Sequence, residues 1–221
     1  MTALRSGDTL LFIGDSITDC DRRLDAAGLG NGYVRLFSDL MAIREPEKII
    51  RIINRGISGD IVTGLRDRWE QDVLQHRPNW ISIKIGINDV HTFLRAEDRA
   101  VSAALFAETY EELLTRSRAA LPHCQILLID PFYICRADQA SAWESSVLQL
   151  LTEYLAVVHQ LSARFDTRLV KTHEIFQQLL QHQPAERFCP EPVHPNQVGH
   201  LAIAEEVYRI LGTERSRSNA T

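Results

Sequence analysis

The chain has 221 residues, 45% of them hydrophobic and 24% charged, with a formal net charge of -5 at neutral pH. That is enough apolar chain to bury one large core, while the acidic balance argues against nucleic acid or an anionic membrane surface as a partner. No apolar run is long enough to span a bilayer, and the first eight residues lack the apolar segment of a signal peptide, so the expected location is the cytoplasm. Four cysteines, Cys20, Cys124, Cys135 and Cys189, stand far apart with no C-x-x-C pair. They fit neither a zinc site nor a disulfide framework and are expected to be thiols.

Short apolar runs fall at residues 9–13, 49–53, 80–85, 125–129 and 167–170. None alternates cleanly with polar residues, so each reads as a strand covered on both faces, as in a parallel sheet. Between them, residues 31–43, 62–74, 105–121, 147–164 and 197–211 carry apolar side chains at three- and four-residue spacing. Val147, Leu150, Leu151, Tyr154, Leu155, Val158 and Leu161 form the clearest helical stripe. Alternating strands and helices predict a three-layer α/β/α sandwich. No linker or repeat divides residues 1–213, which are expected to form one domain, with residues 214–221 as a flexible tail.

The first strand stops at Gly14, followed by Asp15 and Ser16. Open α/β sheets bind ligands at the carboxyl ends of their strands, which makes Ser16 the candidate nucleophile; the alternative is an N-cap serine. Residues 28–32, Gly-Leu-Gly-Asn-Gly, lack the G-x-G-x-x-G spacing and a Walker lysine, and read as the entry to a helix rather than a nucleotide site. After the second strand comes Asn54-Arg55-Gly56-Ile57-Ser58-Gly59-Asp60, a glycine-rich turn that can present the Gly59 N–H to an oxyanion or can simply be a tight turn. The third strand ends in Ile85-Gly86-Ile87-Asn88-Asp89. Asn88 can donate its amide to a developing oxyanion, whereas Asp89 reads as a cap or brace. Lys84, inside that strand, has no evident role.

Asp15, His91, Phe132 and Tyr133 are expected at the substrate: His91 lies near the mouth with Phe93, and the loop 130–134 is apolar and aromatic. His159 and His173 read as structural. Near the end, Phe188-Cys189-Pro190-Glu191-Pro192-Val193-His194-Pro195-Asn196 places a histidine on a proline-stiffened loop, with Glu191 three residues upstream to orient its ring and Asn196 to cap the last helix. His200, on that helix, is the weaker candidate base.

Four blocks in this order, Gly14-Asp15-Ser16-Ile17, Gly56-Ile57-Ser58-Gly59, Gly86-Ile87-Asn88-Asp89 and Glu191-Pro192-Val193-His194-Pro195, resemble the SGNH (GDSL-type) hydrolases. The strings around Ser16 and Asn88 resemble the bacterial acetylxylan esterase branch. No G-x-S-x-G elbow is present. The resemblance implies a five-stranded, flavodoxin-like parallel sheet, a Ser16 nucleophile, a His194 base, and an oxyanion hole from the Ser16 and Gly59 N–H groups and the Asn88 side chain. It implies no metal or cofactor, and the resembled branch forms oligomers, so a homo-oligomer is an expectation of the same kind. One position departs from the family, which usually has aspartate three residues before the histidine. Glu191 keeps the charge and adds a methylene, so its carboxylate must fold back or the loop must shift. The expected activity is that of a serine esterase removing acetyl or other short acyl groups from a small or oligosaccharide substrate. A lysophospholipase or thioesterase, and a carbohydrate-binding relative without catalysis, are the rival readings.

Overall fold

The structure, a computed structural model, describes residues 1–212, so the expected tail 214–221 lies outside the described residues. The apolar runs form strands β1 (Thr9–Gly14), β2 (Arg51–Gly56), β3 (Trp80–Lys84), β4 (Gln125–Ile129) and β5 (Arg168–Val170). All neighbours are parallel and the order is β2-β1-β3-β4-β5, the flavodoxin-like arrangement. Leu10, Leu11, Phe12, Ile13, Ile81, Ile83, Leu127, Leu128 and Ile129 are almost wholly buried, as continuous apolar strands require when both faces are covered.

Around the sheet lie α1 (Ser16–Asp19), α2 (Tyr33–Arg44), α3 (Val62–Asp72), α4 (Ile87–Leu94), α5 (Ala103–Ala120), α6 (Ala142–Arg164), α7 (Thr172–Leu179) and α8 (Gln197–Gly212). The step from β1 to β2 runs one way along the sheet and every later step runs the other way. Right-handed crossovers then place the helices on opposite faces. Accordingly α2 packs on α8, while α3, α5 and α6 pack one against the next. The predicted stripe of α6 faces inward: Val147, Leu151, Tyr154, Val158 and Leu161 are buried. Its first turn is fixed by a capping box, in which Ser141 and Glu144 each bond the other's backbone N–H.

Two differences from the sequence reading have physical causes. Strand β2 starts at Arg51 rather than residue 49, because its register runs from Thr9↔Arg51 to Gly14↔Gly56 and leaves Ile49 78% exposed. Helices α1, α4 and α7 were not among the predicted elements; with four or eight residues each, they are too short to show a periodic stripe.

Candidate active site

The sheet order reverses between β1 and β3, and that crevice is where open α/β sheets bind ligands. Gly14 pairs with Gly56 on one side and Lys84 on the other, so the segments after β1, β2 and β3 all leave the sheet at one level. Close packing at that level explains Gly56, where a Cβ would lie 2.2 Å from the Asp19 nitrogen.

Ser16 opens α1, and Asp15 caps it by accepting from the Ile17 N–H at 3.0 Å. The Asp15 carboxylate also receives the Lys84 ammonium at 3.1 and 3.4 Å, with both side chains wholly buried. Burial pulls the Lys84 ammonium below its ordinary range and Asp15 opposes that pull. Asp15 is therefore no substrate contact, contrary to the sequence reading. It sits beneath the serine turn, and Lys84 is its counter-charge. Phe132 also departs from expectation, since it is fully buried with its ring 4.8 Å from the Lys84 ammonium and 4.8 Å from the Phe176 ring.

His194 reaches the serine from the loop before α8. Its Nε2 lies 2.9 Å from Ser16 Oγ and its Nδ1 lies 2.5 Å from Glu191 Oε1. With Nδ1 protonated and donating to the carboxylate, Nε2 is left to accept the serine proton. The extra methylene of Glu191 is absorbed by folding back: Oε1 also accepts from the His194 N–H at 2.8 Å, and Oε2 from the Val193 N–H at 2.9 Å. Both side chains remain about half exposed, His194 at 56% and Glu191 at 46%. Asn196 caps α8 as expected, accepting from the Val198 and Gly199 N–H groups.

On the other side of Ser16, residues 57–60 form a turn in which the Asp60 N–H donates to the Ile57 carbonyl. Gly59 occupies its third position with φ +77, the value that a type II turn reserves for glycine. That turn leaves the Gly59 N–H out of its own hydrogen bonding. Asn88 Nδ2 donates to the Asp60 carbonyl at 2.9 Å, which fixes the amide plane beside the same turn and leaves its second hydrogen for another acceptor. Asp89 braces as expected, its Oδ1 accepting from the Val62 N–H at the start of α3. Burial pushes the Asp89 carboxyl up to about 7, against that hydrogen bond.

Two bracing residues escaped the sequence reading. Arg68, on α3, holds Asp60 Oδ2 through Nε at 2.9 Å and Nη2 at 2.7 Å, and also donates to the Arg55 and Gly14 carbonyls. The one available signal was a charged residue one position before the buried Trp69, which sequence alone assigns to the solvent face. Asn54, inside β2, donates to the Thr18 and Leu29 carbonyls at 2.6 and 2.8 Å and so ties α1 to the loop before α2.

The remaining histidines separate. His91 is partly buried, its ring edge-on to Tyr133 at 6.0 Å and tilted to Trp143 at 5.9 Å. Tyr133 is only 4% exposed, so it backs His91 rather than facing solvent. His159 meets the buried Asp130 carboxylate at 2.9 Å, and His173 accepts from the Tyr133 N–H. His200 Nδ1 accepts from the Tyr33 N–H and its Nε2 lies 3.4 Å from the Sγ of Cys20, the residue that caps the C-terminal end of α1. Burial pushes the Cys20 thiol up to about 12, so it stays protonated and unreactive at neutral pH.

With this geometry in hand, the comparisons with known proteins agree. The profile of the GDSL-like lipase/acylhydrolase family matches residues 12–202. An acetylxylan esterase of Geobacillus stearothermophilus is 35% identical over 221 residues, covering 96% of this chain and 98% of the relative. The crystal structure of an acetylxylan esterase from that organism superposes with a TM-score of 0.84 at 34% identity, covering 96% of this chain and 99% of its own. Its solved catalytic mutants replace a serine, an aspartate or a histidine by alanine. A hydrolase from the metagenome of Lake Arreo in Spain superposes with a TM-score of 0.85 at 28% identity, covering 96% and 98% of the two chains.

Proposed function

We propose that this chain, which belongs to the GDSL-like lipase/acylhydrolase family and is a carboxylic ester hydrolase, removes acetyl groups from hydroxyls of xylo-oligosaccharides, with Ser16 as nucleophile. The observation that carries the reading is the 2.9 Å contact of Ser16 Oγ with His194 Nε2, continued at 2.5 Å to Glu191. The acetyl-sugar substrate is supported by the 35% identity to an acetylxylan esterase along almost the whole of both chains.

In the first half-reaction His194 Nε2 takes the serine proton as Oγ attacks the ester carbonyl carbon. The carbonyl electron pair moves to oxygen, where the Ser16 and Gly59 N–H groups and the second Asn88 amide hydrogen receive it. Collapse of the tetrahedral intermediate breaks the bond to the sugar oxygen, and His194 gives that oxygen the proton. Water then enters, loses a proton to His194 and attacks the acetyl-enzyme, releasing acetate and restoring the serine. Glu191 holds the ring and stabilises the imidazolium in both halves.

Hydrolysis of p-nitrophenyl acetate and p-nitrophenyl decanoate, followed as p-nitrophenol release, and of peracetylated xylobiose, followed as acetate release, each with a Ser16→Ala control, tests the proposal. Serine-dependent deacetylation of the sugar with little decanoate turnover is the expected result. A preference for decanoate would move the protein to long-chain esters, and full activity without the serine hydroxyl would remove the mechanism.

A further inference from the structure

Asn88, His91 and Arg95 recur at three- and four-residue spacing, so they share one face of α4 and its C-terminal end. The face begins at the amide beside the Gly59 turn and ends at a guanidinium. Trp143, from the first turn of α6, leans over its outer half with its ring 5.9 Å from His91 and 5.4 Å from the Arg95 guanidinium. A row of charged side chains runs from there back to the site: Arg95 to Glu97 at 3.8 Å, Glu97 to Arg99 at 3.2 Å, and Arg99 to the Gly59 carbonyl at 3.0 Å. The capping box of α6 fixes the turn that carries the indole, yet 39% of Trp143 stays open to solvent.

We propose that Trp143 and the Arg95-Glu97-Arg99 row form the subsite for the sugar ring that carries the ester, an inference that rests on the carbohydrate-ester reading above. A pyranose ring has an apolar C–H face and a rim of hydroxyls. An exposed indole suits the first, and exposed carboxylate and guanidinium groups suit the second. The side of the serine is fixed by the chemistry. His194 must protonate the leaving sugar oxygen, so the ring lies on the His194 side of the site. His91, the partner of Trp143, lies on that side too: its ring packs edge-on against Tyr133, and the next residue, Ile134, donates its N–H to the Pro192 carbonyl of the His194 loop. The ester's carbonyl oxygen, by contrast, has to point toward the Gly59 N–H and the Asn88 amide.

The test compares two esters that share the acetyl group. Ethyl acetate has a two-carbon leaving group with no ring to stack on the indole, whereas the leaving group of peracetylated xylobiose carries one. Trp143→Ala should lower kcat/KM for the sugar ester by about three- to tenfold, mostly through KM, because one aromatic contact carries that much. Turnover of ethyl acetate should stay within about twofold of wild type by the same argument, and Trp143→Phe should recover most of the sugar activity. Equal losses on both esters, or no loss on the sugar, would overturn the subsite. A wild-type enzyme that turns over ethyl acetate and leaves the sugar untouched would instead remove the carbohydrate reading, and the subsite with it. Binding gives a second readout, because Trp69 and Trp80 are buried. Xylobiose added to the Ser16→Ala protein should change tryptophan fluorescence, and the change should vanish when Trp143→Phe is added; a change that persists counts against the subsite.

Discussion

The two partners of the serine–histidine contact are held in opposite ways. Ser16 stands on a dry, charged floor where Asp15 and Lys84 are wholly buried and Asn54 is fastened to Thr18 and Leu29 through long-range hydrogen bonds. His194 rides on a half-exposed loop, and the residue that orients it lies three positions upstream. The floor is a tertiary construction; the loop is local and stiffened by Pro190, Pro192 and Pro195. Damage to the floor should therefore appear mainly in stability, and damage to the loop mainly in rate.

The largest effect is expected at the loop. In Glu191→Gln one side-chain oxygen replaces two, and an amide must face N–H groups that the carboxylate now accepts. Loss of the orienting charge in comparable triads costs about 10⁴-fold in kcat. The thermal midpoint should barely move, because the groups are exposed and surface ion pairs contribute about 1 kcal/mol or less. A variant that loses stability in proportion to its rate would show that the loop is structural and erase the contrast.

The floor is broken by Lys84→Met, which leaves the Asp15 carboxylate buried without its counter-charge. Such a change destabilises by about 3–5 kcal/mol, read as a fall in the urea midpoint. Adding Asp15→Asn should restore most of the loss, since the amide oxygen can still cap Ile17 and no charge remains to desolvate. A double variant as unstable as the single one would mean that packing on Phe132, and not charge, sets the cost.

The same contrast decides what could be read from the sequence. The end of β1 just before Ser16, the glycine turn at Gly59 and the pairing of Glu191 with His194 were legible because each signal is local: an apolar run that stops, a glycine in a turn, an acid three residues from a base. The floor was not legible. Lys84 had no assignable partner until β1 and β3 were laid side by side, and Asp15 and Phe132 were placed at the substrate when they lie beneath it. Helix α4 was missed too, so the common face of Asn88, His91 and Arg95 could not be drawn.

Between floor and loop sits the Gly59–Asn88 side, which depends on Arg68. Arg68→Lys keeps the charge but cannot hold Asp60 in two-pronged fashion while also reaching the Gly14 and Arg55 carbonyls. Asp60 would loosen, and the Asn88 amide that bonds its carbonyl would loosen with it. A displacement of about 1 Å at such a donor costs up to about a hundredfold, so a tenfold fall in kcat with KM near wild type is the expected outcome. A change in KM alone would place Arg68 outside the oxyanion machinery.

Titration sharpens the comparison through pH. Burial lifts the Asp89 carboxyl to about 7, so the native state resists the ionisation that the unfolded chain undergoes near about 4. Between those values the unfolded state binds fewer protons than the native state, and this group's contribution to stability falls as pH rises. His173 and His200 act in the opposite sense: burial lowers both to about 4, so the unfolded chain takes up their protons first and stability falls as the pH drops below about 6.5. Wild-type stability over this interval mixes the two slopes. Asp89→Asn removes only the first, while its amide oxygen can still accept from Val62. The variant should match wild type near pH 4, gain on it steadily up to about pH 7, and hold a constant advantage above. A constant gap across the whole range would mean that Asp89 stays ionised in the fold, and that the buried site under Asn88 carries a full negative charge through every turnover.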